Sequence, residues 1–121
     1  MTRGYFYKDQ AAQFAFYRIP KKLFTEPEFS ELTIAAKALY GLLLDRVSLS
    51  DKNGWIDDCN RVFVYMTNQS ICEAFNISDK TATKLLVELE DIDLIERVRQ
   101  GQGRPTKIFV KNFLDCRVSD S

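Results

Sequence analysis

The period of the apolar positions changes several times along this chain, and each change marks an element. Ile34, Ala35, Ala38, Leu39, Leu42 and Leu43 recur at spacings of three and four. That is one helical face, and it predicts an amphipathic helix over residues 31–47 with Ser30 or Thr33 as its N-cap. SLSDKNGW, with Asn53-Gly54, reads as a loop or turn, and the β-forming run RVFVYM at 61–66 as a short strand. Two shorter helical patterns follow. Thr67 is placed to cap TNQSICEAF, with Ile71, Ala74 and Phe75 inward. After the turn Asn76-Ile77, Ser78 is placed to cap SDKTATKLLVELE, whose Ala82, Leu85, Leu86 and Leu89 share one face. DIDLIERVRQ then reads as a strand, GQGRPT as a loop and KIFVKNF as a returning strand. Helix, strand, helix, tight turn, helix, strand, loop, strand is the order of a winged helix-turn-helix, an α+β fold that is mainly helical.

Residues 1–29 follow another pattern. Tyr5, Tyr7, Phe14 and Phe16 alternate on either side of a polar KDQAAQ link, which predicts an extra N-terminal β-hairpin. So many aromatics either cover the core or meet another chain. The Pro-punctuated IPKKLFTEPEFSEL leads into a core at 30–113, and DCRVSDS belongs to a polar tail over 114–121.

The 121 residues, 45% of them apolar, are enough for one domain with a continuous core. No apolar run reaches the roughly 20 residues of a membrane span, and MTRGYFYKDQ has no signal-peptide core, so a cytoplasmic location is expected and a membrane partner is not. Cys59, Cys72 and Cys116 are widely spaced and odd in number, which does not suggest a disulfide framework. With no histidine and no CxxC, neither a metal site nor a cofactor is expected. The commonest general base is missing too, and no carboxylate, Lys or Tyr stands in a catalytic motif. The reading is therefore non-enzymatic, with no catalytic residue.

Charge is where the sequence becomes informative. Seventeen basic and seventeen acidic residues sum to a formal net charge of zero, but they are segregated. Glu88, Glu90, Asp91, Asp93 and Glu96 come first; Arg97, Arg99, Arg104 and Lys107 follow in a stretch with no acid as far as Lys111. A plain hairpin turn explains Gly101 and Gly103 but not that charge pattern. A wing that meets phosphate explains both, with Gln102, Arg104 and Lys107 as its donors and Arg99 at its base.

The helix after Ser78 gives the matching half. With its stripe turned inward, its outer face shows Lys80, Thr81, Thr83, Lys84 and Glu88. Short hydroxyls suit base edges, and ammonium groups suit phosphate or guanine. Asn68 and Gln69, at the start of the preceding helix, are suited to the backbone, as is Ser78 itself. Lys21 and Lys22 form a smaller basic spot. Competing explanations are bland ones: capping for Thr67 and Ser78, a solvated face for the lysines. GQGRPT lacks both GK[ST] and a following helix, so it is not a nucleotide loop, and the acidic run reads as a solvated helix end rather than a metal site. The residues support a double-stranded DNA binder; a transcription regulator or a protein–protein oligomerisation module remain alternatives.

FYRIPKKLF, LTIAAKALYGLLLDRVSLSDKNGWID and the run from TNQSICEAF to KIFV, with AKALYGLLLDR, NGW and RQGxGRP as a set, resemble the N-terminal domain of the RepA_N plasmid replication initiators of Gram-positive bacteria. The resemblance covers about residues 16–110. It implies a winged helix that binds iteron repeats of a plasmid origin, dimers of this domain with pairing into higher assemblies open, and a C-terminal domain that recruits host replication proteins. It also implies a DNA-reading helix over 78–90 and a wing over 99–107. The family often has Lys in place of Arg104, which keeps the charge. It tends to have Gly before Leu-Ile after the reading helix; here Asp93 stands before Leu94-Ile95.

Overall fold

Residues 2–7, 15–101 and 104–114 are described by the computed structural model. The most apolar segment forms a central helix, α2 (Ile34–Asn53), preceded by a short helix α1 (Lys22–Thr25) and a 3-10 turn (Pro27–Phe29). Then come β1 (Phe63–Met66), α3 (Asn68–Phe75), α4 (Asp79–Asp91), β2 (Ile95–Val98) and β3 (Thr106–Val110). The strands form one antiparallel sheet in the order β1-β3-β2, with Val64 opposite Ile108 and Ile108 opposite Arg97. This is a winged helix-turn-helix, as the order of the sequence patterns predicted.

Helix α2 departs from its expected amphipathic form. Ile34 and Ala35, expected inside, are exposed, and the middle of the helix is buried almost all round: Ala36, Lys37, Leu39, Tyr40, Gly41, Leu42 and Leu43. It has neighbours on both sides, so apolar residues on its second face are covered too. Lys37 is buried too, with its ammonium 4.6 Å from the centre of the Phe24 ring. The Tyr40 hydroxyl donates to the Lys111 carbonyl, and burial pushes its pKa up to about 12, opposed by the Phe113 backbone N–H. The helix also runs to Asn53, through most of the expected SLSDKNGW loop. Ser50 is wholly buried there, its hydroxyl donating 2.8 Å to the Phe63 carbonyl, which fastens the last turns to the sheet. Gly54, at φ 73°, follows the last residue of the helix in the left-handed region that glycine allows.

The inner face of the sheet (Val64, Met66, Ile95 and Ile108) joins Leu39 and Leu43 of α2 and Leu85, Leu86 and Leu89 of α4 in one core. Leu23 and Phe29 reach the same core from the segment before residue 30. On the outer face, Phe63 stands edge-on to Tyr65 and Phe109.

The expected N-terminal hairpin is not formed by the described residues: neither 2–7 nor 15–20 is in a strand, and 8–14 lie outside them. A two-stranded ribbon is stable only when one face packs, and Tyr5, Phe6, Tyr7 and Phe16 are all well exposed. Instead, the chain around Arg18 and Ile19 lies across α2 at Gly41. A Cβ on Gly41 would come within 2.9 Å of the Ile19 side chain and 3.1 Å of the Arg18 carbonyl, so a glycine allows the close crossing. Beside it, Tyr17 meets Phe75 edge-on at 6.5 Å. The tail beyond Leu114 lies outside the described residues. Among the described residues, no helix is long and apolar enough to cross a membrane.

Candidate nucleic-acid interface

Both helix starts in the α3–α4 pair follow the sequence. The Thr67 hydroxyl accepts from the Ser70 N–H at 3.1 Å, and the Ser78 hydroxyl accepts from the Thr81 N–H at 3.2 Å. Between them Asn76 takes the left-handed conformation (φ 56°, ψ 51°) that ends α3, a conformation Asn tolerates well. Ile71 is buried and Phe75 half-buried, whereas Ala74, expected inside, faces solvent. On α4 the buried residues are Ala82, Leu85, Leu86 and Leu89, as predicted. Lys80, Thr81, Thr83 and Lys84 are exposed together on the other side, with Val87 beside them.

The flanks of that face are bonded into the domain. Asn68 Nδ2 donates to Asp79 Oδ1 at 3.0 Å and to Thr83 Oγ1 at 2.8 Å, which uses both amide hydrogens within the motif. Asn68, expected from the sequence to donate to DNA, here ties α3 to the first turns of α4. Gln69 Nε2 donates to Glu73 at 3.2 Å along an exposed helix face. The Ser78 hydroxyl, besides capping, donates to Thr81 Oγ1 at 3.0 Å.

Acidic groups near the cations are likewise occupied. Glu88, expected on the outer face, is half-buried. Its two carboxylate oxygens accept from the Thr33 N–H and the Thr33 hydroxyl, both at 3.0 Å. A carboxylate there sits at the N-terminal end of α2, where the helix dipole favours negative charge. Thr33 Oγ1 also accepts from the Ala36 N–H, making Thr33 rather than Ser30 the N-cap. Glu90 accepts from Arg97 Nη2 at 2.7 Å, and that hydrogen bond holds its carboxyl below the usual carboxylate range. The sequence shows the acids but not these partners, because Thr33 and Glu88 are 55 positions apart.

Arg97, read from the sequence as part of the basic hairpin, thus has its charge matched by Glu90. Lys111 does likewise with Asp93, 2.6 Å away. The third ion pair among the described residues joins Arg61 to Asp57. None of the three involves Lys80, Lys84, Arg99 or Arg104.

The hairpin carries its cations differently. Arg99 follows the end of β2 and Arg104 lies in the connection, both exposed. Gly101 sits at φ 109°, which its lack of a Cβ permits. The Gly101 carbonyl accepts from the Arg104 N–H at 3.3 Å, and the Gln100 side chain donates to the Pro105 carbonyl at 3.0 Å. Gln102 and Gly103 lie outside the described residues. Lys107 is within β3, in the returning strand where the sequence placed it, with its ammonium 4.4 Å from the centre of the Phe63 ring. Lys21 and Lys22 are exposed at the start of α1.

One family model, replication initiator protein A (RepA) N-terminus, matches residues 15–119. The chain belongs to that family. A 41 kDa protein of Lactobacillus helveticus is 32% identical over 100 residues, which is 83% of this chain and 28% of that protein; the chain therefore spans little more than a quarter of this relative. Solved structures agree. One described as "Structure of Rep-DNA complex" superposes with a TM-score of 0.75 at 30% identity, covering 90% of this chain and 84% of its own. Another, "N-Terminal domain of DNA binding protein", gives 0.74 at 30% identity over 92% and 85%. A third, "Structure of MDR initiator", gives 0.73 at 30% identity over 90% and 86%. Within the family, the preference for Gly before Leu-Ile has a physical reason here: Asp93 holds φ 65°, the left-handed region where glycine costs least.

Proposed function

We propose that this chain is the origin-recognition domain of a plasmid replication initiator, a non-enzymatic module that binds iteron repeats of double-stranded DNA in the cytoplasm. The observation that carries this reading is the outer face of α4. It exposes Lys80, Thr81, Thr83 and Lys84 while Glu88 and Glu90 are engaged elsewhere. Such a face enters a major groove without desolvating an unpaired acid. Arg99 and Arg104 on the hairpin supply phosphate or minor-groove contacts beside it, with Gln102 and Lys107 as further donors. Membership of the initiator family and likeness to a structure described as a Rep–DNA complex support the same reading. A homodimer covering two repeats belongs to it as well, and recruitment of host replication proteins belongs to the wider protein. A transcription regulator would use the same surface, but family membership favours the initiator.

The test is a mobility-shift titration with the plasmid's origin repeat and a scrambled duplex at two salt concentrations, with light scattering in parallel. The expected result is preference for the repeat, affinity that falls steeply with salt, and a dimeric mass. Equal, salt-insensitive affinity for both duplexes would overturn the reading in favour of an oligomerisation module.

A further inference from the structure

The hydrogen bonds inside the α3–α4 pair fix more than its shape. Lys80 and Lys84 are four residues apart, so they stack along one line of α4, and Thr81 and Thr83 flank that line on either side. Each of these threonine hydroxyls already serves as an acceptor within the protein: Thr83 Oγ1 takes a proton from Asn68 Nδ2 at 2.8 Å, and Thr81 Oγ1 takes one from the Ser78 hydroxyl at 3.0 Å. A hydroxyl that accepts on its protein side turns its own proton away from that donor, and the bond it accepts makes it a better donor. Ammonium groups only donate. Each hydroxyl keeps one lone pair, but with two ammonium groups and two outward protons the exposed centre of α4 is richer in donors than in acceptors, and its acidic flank, Asp79 and Glu88, accepts from Asn68 and Thr33.

In the major groove only guanine presents two acceptors, N7 and O6, and no donor. Adenine pairs its N7 with an amino donor, cytosine shows an amino donor, and thymine shows one acceptor beside a methyl group. We infer that the first two turns of α4 read guanine edges, with Thr83 and Thr81 as specificity-determining residues and Asn68 as the positioning residue that sets the sense of the Thr83 hydroxyl. This rests on the proposed reading of α4 as the DNA-reading helix and adds the bases it selects.

The experiment uses the chain of 121 residues and a pool of duplexes with a randomised centre. The selected duplex is resynthesised with 7-deazaguanine, which lacks the N7 acceptor, at one guanine at a time, and with inosine, whose major-groove edge is unchanged, as the control. Adjacent guanines should each lose about tenfold in affinity on 7-deaza substitution and little with inosine. In Thr83→Val, which removes the hydroxyl at an exposed position, one of those guanines should become insensitive to the substitution. Asn68→Ala should relax preference at that same guanine by a similar factor while leaving the salt dependence of binding intact, which a general loss of structure would not do. A selected duplex that binds tightly yet tolerates 7-deazaguanine everywhere would overturn the guanine inference and leave the DNA-reading helix standing. Failure to enrich any duplex, with salt-insensitive binding, would overturn both.

Discussion

Along α4, side chains are bonded sideways into the protein: Asn68 to Asp79 and Thr83 and Ser78 to Thr81 at its start, and Thr33 to Glu88 further along. The β2–β3 connection has, among the described residues, one backbone bond from Arg104 to Gly101 and one side-chain bond from Gln100 to Pro105. The two regions carry similar charge and are proposed to meet the same duplex, but they are supported differently. A hydroxyl held by a protein donor has its own proton aimed within a restricted range, which favours base edges that offer an acceptor there. An arginine held only by its backbone follows a phosphate wherever the backbone runs, so it adds affinity without reading sequence.

The contrast is broken most severely from beneath. Leu89 is fully buried under α4 against α2 and the sheet. Leu89→Ala should cost about 2–5 kcal/mol in urea unfolding through lost transfer energy and a cavity, removing reading and gripping together. A cost well below that range would mean that α4 is not anchored as described. Ser78→Ala comes next. It removes the N-cap of α4 and the donor to Thr81, so about 1 kcal/mol of stability should go. Preference between cognate and scrambled duplex should fall more than non-specific affinity does. Arg104→Ala should do the reverse. It should leave stability within about 0.5 kcal/mol and weaken all duplexes alike, lowering the slope of log affinity against log salt by about 0.9. Should Arg104→Ala change base preference instead, the assignment of gripping to the hairpin is wrong.

The α4 half of this contrast was more legible in the sequence than its support. Thr67, Ser78, Leu85, Leu86 and Leu89 act locally, through capping and helical period, and a local rule finds them. Asn68 was legible as a polar group at a helix start, but its partners depend on how α3 packs on α4, which no spacing encodes. The extra turns of α2 hang on Ser50, whose partner Phe63 is 13 positions away. Tyr5, Tyr7, Phe14 and Phe16 have strand-like alternation, yet the described members of that set lie outside any strand, because alternation supplies a face but not a surface to pack it on. Asp93 shows the opposite case: an acid where glycine is expected reads as a departure, and the backbone takes the glycine-like conformation regardless, with Lys111 beside it.

The smallest expected effect tests the joint between the two regions. Glu90 of α4 and Arg97 of β2 form the ion pair that links α4 to the first strand of the hairpin. The Glu90 side chain is a third exposed, so solvent screening limits the pair to well under about 1 kcal/mol. Its sign is nevertheless fixed. The Glu90 pKa is lowered in the folded state by the Arg97 hydrogen bond, so the pair contributes its full stability above the ordinary carboxylate range and loses it as pH falls through the folded value. Glu90→Gln should therefore unfold slightly more easily than the parent at neutral pH, and the difference should vanish once the pH has fallen below the lowered folded value. If the gap instead widened on acidification, Glu90 would be stabilised in its protonated form, and the link between α4 and β2 would rest on packing of Leu89, Leu94 and Ile95 rather than on charge.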